Sequence, residues 1–301
     1  MIEKREGLMS KPRKSGILLH LSSIPSPFGI GDFGEEAYRF IKTLKSAKQT
    51  QWQILPLCPV DGSGSPYQST SAFAGEMLYI SLDLLVEDGL LTRQEVEAAK
   101  EPVFLRTDYE RARQIKIPFL QKAFCRFCMQ LPNATFDDFL EKNKDWLSDY
   151  ALFMAIKTYL LEQRTQMEAG LLEFLEENEH ILSKEMGERY FRSASWVSFP
   201  KELRKREPKA LREWSAMLEQ EIQWIYFLQY TFSKQWNRLK TFANENGIEI
   251  IGDVPIFVSY DSADVWANQE LFELNSVGFP TQVAGVPPDY FSQKGQLWGN
   301  P

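Results

Sequence analysis

Three stretches of the chain hold residue types suited to a neutral, hydroxyl-rich ligand. The first is Gly62-Ser-Gly-Ser-Pro-Tyr-Gln-Ser-Thr-Ser-Ala-Phe-Ala-Gly75. Its serines and Gln68 offer uncharged hydrogen bonds, and Tyr67 offers a flat face for the C–H side of a sugar ring. An ordinary polar turn has the same composition. The second is Gly252-Asp253-Val-Pro-Ile256, where a carboxylate follows an apolar run. Asp253 there can orient a hydroxyl, act as acid or base, or simply cap nearby amides. The third is Val286-Pro-Pro-Asp-Tyr-Phe-Ser292 with Gly295-Gln-Leu-Trp-Gly-Asn-Pro301, which is aromatic enough for a platform or lid over a ligand. Loop aromatics also plug cores.

Other chemistries find little support. Cys125-Arg-Phe-Cys128 has metal or redox spacing, but there is no second pair to complete a zinc site. Both cysteines fall in an apolar helical stripe and are expected to be buried thiols. His180 lies among Glu176, Glu177 and Glu179 and is expected to be solvated; His20 ends an apolar run, where it could line a site or sit satisfied in the core. No phosphate-cradling glycine loop opens a helix after a strand.

The elements that must position these residues follow from the apolar pattern. Gly16-Ile-Leu-Leu-His20 and Trp52-Gln-Ile-Leu-Pro-Leu57 read as buried strands. Between them Asp32-Phe-Gly-Glu35 opens a helix with Ala37, Phe40, Ile41 and Leu44 on one face and Lys42, Lys45 and Lys48 on the other. Strand, helix, strand at this spacing implies parallel pairing. Ile248–Ile251 is a third strand. Helices are expected over 111–131, 144–161 and 211–243, the last spanning roughly 50 Å unless it breaks. Ala243-Asn-Glu-Asn-Gly247 is a helix stop. Three segments result: 1–90 with short strands and Gly/Pro/Ser loops, 91–240 mainly helical, and 241–301 with a strand and aromatic loops.

The chain has 301 residues, 44% of them hydrophobic, enough to bury a sizeable core. Lys plus Arg is 34 against 41 Asp plus Glu, a net charge of −7, which disfavours nucleic acid as a partner. No run approaches the ~20 apolar residues needed to span a bilayer, so no membrane association is expected. Met1-Ile-Glu-Lys-Arg-Glu-Gly7 lacks the apolar core of a signal peptide, and the expected location is the cytoplasm.

Read in order, the segments resemble the 4-α-glucanotransferases, the amylomaltase or disproportionating-enzyme family. The resemblance is carried by Ser15-Gly-Ile-Leu-Leu-His20, Ile24-Pro25, Gly29-Ile-Gly-Asp-Phe-Gly34 and Trp52-Gln-Ile-Leu-Pro-Leu57. It continues through Ser65-Pro-Tyr-Gln-Ser69, Ser71-Ala-Phe-Ala-Gly75, Gln235-Trp236, Gly252-Asp-Val-Pro-Ile-Phe-Val258, Gly285-Val-Pro-Pro-Asp-Tyr-Phe291 and Trp298-Gly-Asn-Pro301. The family usually has Gly where Cys58 stands and often Gly-Asp where Ser63-Gly64 stand.

The resemblance implies an amylase-like (β/α)8 TIM barrel of α/β class, here incomplete: its first three strands, with a large helical insertion between the second and third. It implies retaining transfer of α-1,4-glucan segments between maltooligosaccharides without a dissociable cofactor or metal. Tyr67 matches the tyrosine that stacks on donor sugar, with Ser65 beside it; Asp253 matches an aspartate contacting donor hydroxyls. Tyr290 and Phe291 fall in the loop folding over the glucan, and Trp298 beside the reactive sugar. The family's nucleophilic Asp, in an Arg-Ile-Asp-His-like motif, and its acid/base Glu are expected beyond Pro301, so no catalytic residue is assigned within the chain and the chain alone is expected to be inactive. A non-catalytic α-glucan-binding protein and a helical interaction module over 91–240 are the alternatives. The oligomeric state is not legible.

Overall fold

A computed structural model describes residues 13–60, 64–103, 106–164 and 168–301. Residues 61–63, with Gly62 and Ser63 of the polar run, and the amino-terminal Met1–Gly7 lie outside the described residues.

The order along the chain is β1 (Gly16–Leu18), α1 (Glu35–Ser46), β2 (Gln51–Gln53), α2 (Leu82–Glu87), α3 (Arg93–Ala99), α4 (Tyr109–Cys128) and α5 (Ala134–Arg164). Then come α6 (Glu168–Asn178), α7 (Lys184–Arg192), α8 (Lys201–Arg204), α9 (Pro208–Met217), α10 (Glu219–Glu245), β3 (Glu249–Ile251) and α11 (Ala263–Ala267). A hairpin of β4 (Gly285–Val286) and β5 (Gln296–Leu297) follows. The three expected strands form one parallel sheet in the order β1-β2-β3. Ile17, Trp52 and Ile250 are in register, as are Leu18, Gln53 and Ile251.

Side chains alternate across a strand, so these two rows belong to opposite faces. The Trp52 row faces a helical layer: Trp52 is buried and meets Phe40 of α1 edge-on at 5.2 Å. α1 buries Ala37, Ile41 and Leu44 there, and α10 adds Phe232, Leu239 and Ala243 to the same core. The face carrying Leu18 and Ile251 is open.

The helical middle has its own core. α5 contributes Leu147, Ala151, Phe153 and Ile156, against Trp196, Phe199 and Trp266 from later segments. The single helix expected over 211–243 breaks at Leu218, whose φ of −107° and ψ of 29° are not helical and whose side chain is buried in this second core. α10 then runs on to the expected stop, where Gly247 takes a φ of 75° and Ile248 N–H donates to Ala243 O.

Two expectations are corrected. The first strand is not buried: Gly16, Ile17 and Leu18 are all exposed, because β1 is an edge strand. Cys125 and Cys128 are exposed, not buried. The stripe α4 buries passes through Ala112, Ile115, Leu120, Ala123 and Phe127, and Cys125, two residues past Ala123, lies about 200° around the helix. The same stripe holds a lysine: buried Lys116 donates to Asp32 Oδ2 at 2.8 Å and to Leu78 O at 2.6 Å. Asp32 also accepts from Gly34 N–H just ahead of α1, so the pair ties α4 to the first β/α unit. His20 is buried, with Nε2 against Tyr79 Oη at 2.9 Å, and burial pulls its imidazole down to about 4. His180 is solvated. Among the described residues no helix is long and apolar enough to cross a membrane.

Candidate functional site

In a parallel sheet, loops leaving the carboxyl ends of the strands gather on one side, where α/β proteins place ligands. β2 leads there into the loop carrying Ser65 and Tyr67, and β3 into Gly252-Asp253. The two meet: Tyr67 Oη donates to Asp253 Oδ2 at 2.6 Å, across 186 residues of chain. That bond raises the Tyr67 phenol to about 12, with smaller contributions from burial and from the carboxylate charge. Asp253 Oδ1 accepts from the Val254 amide at 2.8 Å. Ser65 Oγ accepts from the Tyr67 amide at 3.4 Å, within the turn that presents the ring.

The loop is held by partners far along the chain. Gln229 of α10 grips Gly75 twice, accepting from its N–H at 2.8 Å and donating to its C=O at 2.9 Å. Gln235, six residues on, does the same to Ser81, at 2.7 and 3.1 Å. Glu76 is buried and accepts from the amides of Val60 and Leu78. Asp264 of α11 accepts from Ala72 N–H at 3.0 Å. Gly75 has no room for a side chain: a Cβ there would lie 2.4 Å from the Phe232 ring.

Trp298 joins this neighbourhood through its backbone, since Gln68 Nε2 donates to its carbonyl at 3.4 Å, and through its ring, edge-on to Phe257 at 5.7 Å. Asn300 anchors that segment by donating to Val258 O at 2.7 Å. Tyr290 and Phe291 stand apart. They occupy the bend between β4 and β5, pack edge-to-face on each other at 5.6 Å and are almost wholly exposed.

Beside Asp253 a cleft of about 390 Å³ runs between the ends of β2 and β3, α5 and α10. Its wall includes Phe73, Asn143, Trp146, Ser233 and Asp253. Asn143 and Trp146 come from the helical middle, where sequence reading found only helical packing; the apolar period gave no sign that one turn of α5 faces the loop. Cys58 also lines the cleft, but burial pushes its thiol up to about 11 and Sγ–H points at Ala72 O, so it is no nucleophile. Among the described residues no cluster of three or more His, Cys, Asp or Glu could hold a metal ion.

The family model for 4-alpha-glucanotransferases, glycoside hydrolase family 77, matches residues 19–301. The chain belongs to this family. It is 42% identical over 297 residues to the 4-alpha-glucanotransferase of Synechocystis sp., covering 97% of this chain and 53% of that protein. It is 42% identical over 296 residues to that of Thermus thermophilus, covering 97% and 52%. The chain thus spans about half the length of the curated relatives it matches. Among solved structures, an amylomaltase from Streptococcus agalactiae in complex with acarbose superposes with a TM-score of 0.79 at 38% identity, over 96% of this chain and 53% of that one. Amylomaltase from Corynebacterium glutamicum shares the fold at 18% identity, with a TM-score of 0.60 over 96% and 36% of the two chains.

Proposed function

We propose that this chain provides the donor-side, sugar-binding part of a 4-α-glucanotransferase acting on maltooligosaccharides. The observation that carries the reading is the Tyr67–Asp253 bond: a stacking ring and a hydroxyl-binding carboxylate converge from two strand ends. Ser65 shapes the turn beneath Tyr67, and Trp298 continues the aromatic wall. Tyr290 and Phe291, exposed on a hairpin bend, suit a cover that closes on a bound glucan. The sheet is then the first three strands of an amylase-like (β/α)8 barrel. Residues 1–90 are its first units with the donor loop, 91–240 an inserted helical subdomain, and 241–301 the third strand with the aromatic cover.

The reaction class is retaining double displacement, which needs a nucleophilic carboxylate and an acid about 5–5.5 Å apart. Asp253 is bonded to a phenol and to its own loop, an arrangement for holding a substrate hydroxyl rather than attacking carbon. As the family resemblance implies, the nucleophile and acid/base are assigned to the part of the family's length that this chain does not span. A non-catalytic α-glucan-binding role is supported by the same arrangement.

The test is incubation with maltotriose, followed by chromatography. The 301 residues should leave maltotriose unchanged yet bind it, and Tyr67→Ala should abolish binding. A polypeptide continuing past Pro301 should yield glucose and a ladder of longer maltooligosaccharides; if it also yields none, the non-catalytic role stands. A ladder from the 301 residues alone would place a catalytic pair within them, with Asp253 the first suspect.

A further inference from the structure

Asp253, the partner of Tyr67, lines the cleft, and so does Phe73. Its ring is 67% exposed, yet its backbone and that of its neighbours is tied down. Ser71 Oγ accepts from the amides of Phe73 and Ala74, Asp264 holds the amide of Ala72, and Gln229 grips Gly75 on both polar groups. Ala74 is buried. A ring left two-thirds in water contributes little hydrophobic burial to the fold.

Behind it stands a backing. The Trp146 ring lies nearly parallel to Phe73, with centroids 6.1 Å apart and planes 24° from coplanar. Trp146 is fixed in turn: Nε1–H donates to Asn143 Oδ1 at 3.2 Å, and Asn143 Nδ2 donates to Phe139 O at 2.8 Å. The outer face of Phe73 is therefore a preset flat surface on the same cleft as the Asp253 carboxylate. The cleft's about 390 Å³ falls within the range of small-molecule sites. A pyranose ring needs an apolar plane for its C–H face and polar groups at its rim, which Ser233 and Asp253 supply here.

We propose that Phe73, backed by Trp146 and positioned through Asn143, is a further sugar subsite. It takes a glucosyl unit of a longer α-1,4-glucan whose other units lie at Tyr67 and Asp253, and so confers a preference for longer chains. This inference rests on the α-glucan reading of the site. It adds a residue that acts on chain length rather than on recognition of the first sugars.

The experiment is titration of the 301-residue chain with maltotriose and with maltoheptaose, followed by calorimetry and by tryptophan fluorescence, with Trp146→Phe subtracted to isolate Trp146 among the eight tryptophans. The chain should bind maltoheptaose more tightly. Phe73→Ala should weaken maltoheptaose binding by about five- to tenfold, the scale of one aromatic stacking contact, and leave maltotriose within about twofold. Phe73→Tyr keeps the plane and should retain the wild-type ratio, with matched unfolding temperatures for the three proteins. Equal affinity of the wild type for both sugars, or of Phe73→Ala and wild type for maltoheptaose, overturns the subsite while Tyr67→Ala still tests the site beside it. Loss of self-association in Phe73→Ala with unchanged sugar affinity assigns the ring to a second copy and overturns it too. If the wild type binds neither sugar, the α-glucan reading itself fails and takes the subsite with it.

Discussion

Tyr67 and Asp253 show how little of a site's working geometry a linear reading reveals. Each stood out by type: an aromatic in a Ser/Gln-rich loop and a carboxylate after an apolar strand. Their 2.6 Å bond depends on two strands being neighbours, which no local spacing records. The bond has a titration signature. Hydrogen bonding to Asp253 raises the phenol from about 10, its ordinary value, to about 12. A folded-state value above the unfolded one means the bond contributes fully below about pH 10 and is lost as pH climbs through about 12. Sugar binding carried by this phenol should therefore be flat through neutral pH and decline only in strong base. Asp253→Asn should move the Tyr67 transition back toward 10, isolated by subtracting the ultraviolet titration of Tyr67→Phe. A transition that stays near 12 in Asp253→Asn would mean that something other than the carboxylate holds the proton.

At the level of elements, the strands and long helices were legible because each has a one-dimensional pattern. Apolar runs end at Pro or Gly, and aromatic residues recur every three or four positions in α10. What was hidden are polar residues inside apolar stripes. Lys116 on α4 and Gln229 and Gln235 on α10 look like interruptions of the period until their partners are known, and those partners are 84 and 154 residues away. The cysteines of α4 were misplaced for the converse reason: a small apolar type near a stripe does not fix which side of it the residue takes. The glutamine clamps invite a direct measurement. Gln229→Leu fits the apolar stripe but strands the N–H and C=O of Gly75, each costing about 1–3 kcal/mol when buried without a partner. A loss of about 2–5 kcal/mol in urea unfolding is expected, against no more than about 0.5 kcal/mol for Gln220→Leu on the exposed side of the same helix. Equal effects from the two would show that the loop does not depend on the clamp.

For the whole molecule, the decisive feature is a sheet covered on one face. Trp52 lies under α1 and α10, while Leu18 is 59% and Ile251 37% exposed on the other face; Ile17, at the β1 edge of the covered row, is itself 43% exposed. β1 and β3 each present an edge with no partner strand among the described residues. Val254, Ile256 and Leu297 are also exposed. Exposed apolar side chains beside unpaired strand edges favour association. The 301-residue chain in isolation should therefore self-associate in a concentration-dependent way by sedimentation velocity. Salt should not disperse it, because removing apolar area from water rather than pairing charges drives the contact. Placing lysines in the open row, Leu18→Lys with Ile251→Lys, should shift it toward monomer without lowering its unfolding temperature, since neither side chain belongs to a core. A wild-type chain that sediments as a monomer and unfolds in one cooperative step would show that this face is stable in water without a partner.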